Sequence, residues 1–337
     1  MLALISRPPE CMHNTHADNA ERSFERVRGG GHNARSNACR NANSMNAIAA
    51  ARPSPALSSL GALFVVLWSS AWIAGKIGLP YAGPFTLLLI RFAAAGAVML
   101  AIALATGAPW PANLAAYGHL AVTGVLIQGL ALGFAYFGLQ HGVSAGMSAL
   151  VNALAPLFTA LGAVPLLGER VRPRQWLGLA AGLVGVAFVV IDRISLGAAT
   201  WHAYAATFAA LAALVCGTLS QKKYCSTMDL RTGALIQLAA AGAVVLVPAL
   251  WLEGLEVEWS WTLIFASSWL SLVNSIAAFS LLYVMLRNGA ASRVSALFYL
   301  TVPVTALMGF AAFHETLSAA ALVGFAITLG GVYFGTR

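Results

Sequence analysis

Ten apolar runs, each long enough to cross a lipid bilayer, follow one another from residue 57 to residue 335 with only short loops between them. They fall near 57–75, 84–105, 114–138, 144–167, 175–191, 201–220, 232–252, 261–286, 294–313 and 318–335. A helix of roughly 20 apolar residues spans the hydrocarbon. Backbone polar groups find no water there, so a spanning segment is a helix or a strand of a closed barrel. Continuous apolar runs of this length select the helix. Composition points the same way: 59% of the 337 residues are hydrophobic and 9% charged, with mean hydropathy +0.78, where a soluble domain carries about 25% charged residues. Residues 1–56 hold seven Arg and four acidic residues, which leaves nineteen charged side chains for the other 281. No folded domain fits outside the bilayer, which excludes a nucleotide-driven pump, a soluble catalytic module and a large receptor head. The net charge of +8 follows membrane topology, and no nucleic-acid partner is expected.

Residues 1–56 mix Arg, Asn, His, Ser and Gly without hydrophobic periodicity, the composition of a disordered tail. A start at Met45 is the alternative, and without a short apolar core followed by a small-residue cleavage site no cleaved signal peptide is expected. Of four cysteines, Cys11 and Cys39 lie in the tail, Cys216 within a run and Cys225 at its end. None has metal-ligand or disulfide-framework spacing. No metal or other cofactor is expected.

Loop charges orient the bundle. With the N-terminus inside, the inner loops carry Arg170, Arg172, Arg174, Lys222, Lys223, Arg231, Arg287 and Arg293, and Arg337 ends the chain. The outer side has Arg193, Lys76 at a span edge and the acidic Glu253, Glu256 and Glu258. Excess Lys and Arg mark the cytoplasmic side, so both termini are expected there, in an inner-membrane multi-pass protein.

The chain also repeats itself. YFGLQHGVSAGMSALVNALAP at 136–156 aligns with YVMLRNGAASRVSALFYLTVP at 283–303, an offset of 147. One residue of gap later, Glu169 meets Glu315, and Gly178 and Gly185 meet Gly324 and Gly331. The unit holds five spans, an odd number, so its copies cross the membrane in opposite senses. The basic residues agree, since GERVRPR is basic where HETLSAA is not, and RNGAASR is basic where QHGVSAG is not. The reading is an all-α integral membrane protein of ten transmembrane helices, two inverted five-helix repeats at 57–191 and 201–335. Inverted repeats are a recurrent plan of secondary transporters, with a substrate site near the midplane.

LWSSAWIAGK at 67–76, Ile-Arg-Phe at 90–92 and GERVRPRQWLGLAAGLVGV at 168–186, with Pro303, Glu315, Gly324 and Gly331 in the second copy, resemble the drug/metabolite transporter superfamily, in its EamA-type ten-helix branch. The resemblance covers about 57–335 and implies export or exchange of small metabolites across the inner membrane, without naming the metabolite.

Several side chains are candidates to meet such a solute. Pro156 and Pro303 remove the helical partners of the Asn152 and Tyr299 carbonyls, and Asn152 and Tyr299 are repeat mates. A cavity lining and a packing kink are the two readings. Trp68, Trp72 and Lys76 share one helix face within about 12 Å, either as an aromatic and cationic solute face or as an interface anchor with Lys76 snorkelling outward. Arg91 lies about seven residues into the second span, where a cation faces the bundle interior or a cavity. Gln128 and Asn274 are one residue apart by symmetry, and Tyr136 and Tyr283 are mates. All four either line the path or bond between helices. Gly178-xxx-Gly182, Gly129-xxx-Gly133 and Gly331-xxx-Gly335 read as close packing within one bundle, with a dimer contact as the alternative. The oligomeric state, monomer or homodimer, stays open.

No span centre holds Asp or Glu, so proton antiport through a buried carboxylate is unsupported, and facilitated exchange or gradient-driven export fits better. An intramembrane enzyme would need a nucleophile, a metal set or paired acids at depth, and none is found. The leading expectation is a secondary transporter for a small metabolite, an amino acid or related compound, working by alternating access between the repeats. The alternative is a lipid flippase or scramblase on the same inverted-repeat scaffold.

Overall fold

The computed structural model describes residues 55–143, 145–191, 199–314 and 318–336. Residues 1–54, with Cys11, Cys39 and Met45, lie outside the described residues, as do Arg193, Glu315 and Arg337. Ten helical segments follow in order: α1 (Ser59–Gly78), α2 (Pro84–Ala105), α3 (Leu114–Gln140), α4 (Ala145–Asn152 and Ala155–Leu167), α5 (Pro173–Val190), α6 (Trp201–Tyr224), α7 (Leu230–Glu253), α8 (Trp261–Asn288), α9 (Ala291–Ala296 and Phe298–Phe313) and α10 (Ala319–Thr336). The first nine are long and apolar enough to span a membrane, and the tenth is a shorter apolar helix. The fold is an all-helical membrane bundle.

Helix starts are written in matched residues. Asn113 caps α3, its side-chain oxygen accepting from the Ala116 amide at 2.9 Å, and its repeat mate Ser260 caps α8 by accepting from the Leu263 amide at 3.2 Å. At α2 the cap comes from another helix. Glu253, at the end of α7, accepts from the Phe85 amide at 2.9 Å and from the Thr86 amide and hydroxyl, each at 2.7 Å. A carboxylate at a helix N-terminus meets both unsatisfied amides and the positive end of the dipole. The carboxylate fills the space a side chain at residue 83 would need, and glycine stands there. At the far end of the same helix pair, Arg231 Nη1 donates to Thr106 Oγ1 at 2.7 Å and Thr232 donates to the Pro109 carbonyl at 2.8 Å. The pair α2–α7 is therefore tied at both ends.

Repeat mates pack on each other. Phe92, Ala95, Leu238, Ala241 and Val245 fill the α2–α7 contact. Between α5 and α10 the backbones approach so closely that a β-carbon on Gly178 would sit 2.6 Å from the Gly331 carbonyl oxygen, and one on Gly324 would sit 2.5 Å from that of Gly185. Only glycine fits there. Of the two readings left open by the sequence, these glycines serve packing inside one bundle.

Two features depart from simple helices. α3 and α8 each widen into a π-helical stretch, Val125–Leu130 and Trp269–Ala278, at equivalent places in the two repeats. α4 breaks at Ala153–Leu154 and resumes with Pro156 in its first turn, where a missing amide costs nothing. α9 breaks at Leu297 instead, and Pro303 sits inside its second piece. The two prolines thus occupy equivalent sequence positions with different consequences for the backbone. Large apolar side chains cover the outside, and Trp201, Trp251, Trp259 and Trp261 stand exposed at the ends of α6, α7 and α8, the placement of an interfacial aromatic belt.

Candidate functional site

Arg91 is carried on α2, one helix face away from the lipid, and is only 3% exposed. Its Nε donates to Ser275 Oγ at 2.6 Å and its Nη2 to Asn274 Oδ1. Both acceptors lie in the π stretch of α8. The wider π turn rotates less per residue than an α turn, which lets consecutive side chains reach one guanidinium. π-helical insertions recur at functional sites. Asn274 in turn donates to the Leu67 carbonyl of α1 at 3.4 Å, and the Ser271 hydroxyl lies 3.2 Å from the Arg91 carbonyl. Arg91 thus ties α1, α2 and α8 together through neutral partners, and among the described residues no Asp or Glu pairs with it.

A cavity of about 40 Å³ adjoins the guanidinium, lined by Trp68, Ala71, Trp72, Arg91, Leu132, Tyr136, Asn274 and Phe279. A water needs roughly 10–15 Å³ of such volume, so this space suits a few waters, and a metabolite would require its walls to separate. One wall is an aromatic stack in which Trp68 lies between Phe64, Phe279 and Phe298 at centroid distances of 4.9–5.3 Å.

Five of the residues singled out from sequence meet at this cavity: Trp68, Trp72, Arg91, Tyr136 and Asn274. The others do not line it. Lys76 is exposed and lies 4.2 Å from the Phe313 ring centroid. Tyr299 is fully buried in an apolar cluster with Ala153, Ala160, Leu179 and Val186, packed against Gly182, and its hydroxyl has no partner. Asn152 ends the first piece of α4. Gln128 and Tyr283 are buried, each with an oxygen lacking a hydrogen-bond partner. Sequence reasoning did not find Ser275, although it is the exact repeat mate of Gln128, nor Ser271 and Phe279. A serine among apolar residues carries no signal until its position is known. Among the described residues no group of three His, Cys, Asp or Glu side chains is placed to hold a metal.

A helical bundle of two inverted repeats with a buried cation between its helices is a membrane-transporter architecture. The model of the EamA-like transporter family matches residues 57–191 and again 200–337, and the chain belongs to that family, within the drug/metabolite transporter superfamily. It is 28% identical over 265 residues to the inner membrane transporter YedA of Escherichia coli, covering 78% of this chain and 85% of that one. A probable amino-acid metabolite efflux pump of Salmonella typhimurium is 27% identical over 82% of this chain and 95% of its own. A probable terminal-alkyne amino-acid exporter of Streptantibioticus cattleyicolor is 32% identical over 82% and 91%. A solved crystal structure matches with a TM-score of 0.70, 22% identity and coverage of 83% of this chain and 96% of that one, a likeness of fold. The protein is a multi-pass inner-membrane transporter.

Proposed function

We propose that this transporter exports a small carboxylate-bearing metabolite, an amino acid or a related compound, and that Arg91 receives the carboxylate. The observation that carries the reading is the buried guanidinium held by neutral partners alone. A charged side chain at the centre of a membrane helix costs about 2.5–3.5 kcal/mol even on insertion scales. A planar guanidinium matches a carboxylate with two parallel bonds. Trp68, Trp72 and Phe279 offer apolar surface for the rest of the molecule, and the names of two relatives include amino-acid export.

In this mechanism the repeats rock about the cavity, so that Arg91, Asn274, Tyr136 and the Trp68–Trp72 face meet solute from either side in turn. Both termini lie in the cytoplasm, as the loop charges indicate. Asn152, Tyr299, Gln128 and Tyr283 belong to the surrounding helices that must move, and Lys76 to the boundary.

The test compares culture medium from cells carrying the wild type, Arg91→Gln, Arg91→Lys or empty vector, with membrane abundance measured alongside. A carboxylate-bearing solute should accumulate outside with the wild type, fall to the vector level with Arg91→Gln, and partly return with Arg91→Lys. Enrichment of a cationic or uncharged solute, or full export by Arg91→Gln at normal abundance, overturns the assignment.

A further inference from the structure

The larger cavity lies elsewhere, at the ends of α4, α6 and α8 and the start of α9. It measures about 530 Å³, within the roughly 300–1,000 Å³ of small-molecule sites. Lys222, Lys223, Arg287 and Arg293 line it against a single carboxylate, Glu169. That carboxylate is turned to the backbone, accepting from the Ala291 amide at 2.6 Å, the Ser292 amide at 3.3 Å and the Ser292 hydroxyl at 2.9 Å. Two of the cations are also engaged, though with neutral acceptors. Lys222 Nζ donates to the carbonyls of Leu286 at 2.5 Å, Gly289 at 2.8 Å and Arg287 at 3.4 Å. Arg287 donates to the carbonyls of Ser226 and Met228. These bonds fix the cations in place and leave their charge uncancelled. The remaining two keep their donors available. Lys223 is exposed beside the Tyr224 ring, and the Arg293 guanidinium, unlike its backbone amide, makes no hydrogen bond or ion pair among the described residues.

Lining charge is therefore four positive against one negative. A monocarboxylate would answer one of the three excess charges. A phosphate group carries about −1.5 to −2 at neutral pH and presents three strong acceptor oxygens, and guanidinium and ammonium groups together are its usual partners. Positive loop charge alone explains basic residues on one side of a membrane. It does not explain their convergence from α6, α8 and α9 on one cavity, with two of them pinned by carbonyls. The cavity sits where three spans end, and an apolar span ends where it leaves the hydrocarbon for the headgroups, so its phosphate has two sources.

We propose that this cavity is a phosphate site, in which Lys223 and Arg293 hold the phosphate group of a free oxyanion or of a phospholipid headgroup in the field of Lys222 and Arg287. The site is separate from Arg91 and independent of the carboxylate reading.

The test uses the full chain in phosphatidylcholine nanodiscs, with Tm followed by tryptophan fluorescence while inorganic phosphate is titrated against chloride at matched ionic strength. Phosphate should raise the wild-type Tm, and Lys223→Gln/Arg293→Gln should need about tenfold more phosphate or more for the same rise. The charge-preserving Lys223→Arg/Arg293→Lys should respond like the wild type. If the double glutamine variant fails to fold, Lys223→Gln alone, at an exposed position, should still require several-fold more phosphate. A second arm adds phosphatidylglycerol to the discs. A headgroup source predicts that the anionic lipid raises the wild-type Tm without phosphate and removes the response to it, while a free-oxyanion source leaves that response intact. The proposal fails if neither phosphate nor phosphatidylglycerol shifts the wild type, or if Lys223→Gln/Arg293→Gln responds as the wild type does.

Discussion

Arg91 and Tyr299 show how differently two buried polar side chains can be held. Arg91 meets two acceptors at bonding distance, whereas the Tyr299 hydroxyl is enclosed without a partner. An unsatisfied buried hydroxyl costs about 1–3 kcal/mol. Tyr299→Phe should therefore leave the bundle as stable or about 1 kcal/mol more so, read as an unchanged or higher Tm in detergent, with export retained. A loss of export at unchanged Tm would place Tyr299 on the solute path. Asn274→Leu removes an acceptor from the guanidinium and should lower both export and membrane abundance, because it strands part of a buried charge. Arg91 was legible in the sequence because an ionisable residue inside an apolar run has few places to go. Tyr299 was not, since an aromatic with one polar atom reads equally as core or lining, and only its packing on Gly182 distinguishes them.

At the scale of elements, the spans and their matched order were written in hydropathy, and the repeat in shared residues such as Tyr136 and Tyr283 or Pro156 and Pro303, while the equivalence of the Asn113 and Ser260 caps emerged only with the structure. The π stretches were invisible, because a widened turn has no composition of its own and forms where neighbouring helices hold it. The seam between α5 and α10 makes a sharper demand. Gly331→Val would press its side chain into the Gly178 carbonyl and the Gly182 backbone. Neither atom can rotate away, and overpacking of this kind typically costs 1–3 kcal/mol, occasionally more. Membrane abundance of Gly331→Val should fall several-fold against Gly330→Val, whose neighbouring position has open space. Equal abundance of the two variants would show that the seam opens readily. At the α2 entrance, Glu253→Gln keeps one acceptor oxygen but loses the charge and the second, and should lower Tm modestly, by an amount corresponding to about 1 kcal/mol.

For the whole molecule, orientation is the property that decides which side of the membrane the basic cavity faces. A cysteine at Glu256 should react with a membrane-impermeant maleimide in intact cells, and one at Lys223 only after permeabilisation, with Cys11, Cys39, Cys216 and Cys225 all replaced by serine. The reverse pattern would invert the bundle and put the basic cavity on the outer side. Two of the helix contacts join a helix to its own counterpart, α2 to α7 and α5 to α10, and this bears on how the two halves can change over time. At the α5–α10 seam a bulkier residue in one half is admissible only if the facing residue in the other half recedes, so the halves must vary there in step, and Gly178, Gly185, Gly324 and Gly331 are still the same residue. Around the solute no such constraint operates. At the Arg91 cavity the repeat mates already differ, Arg91 matching Leu238 and Asn274 matching Ile127 at the 147-residue offset, so that a new specificity can be reached by altering one half while the other keeps the scaffold closed.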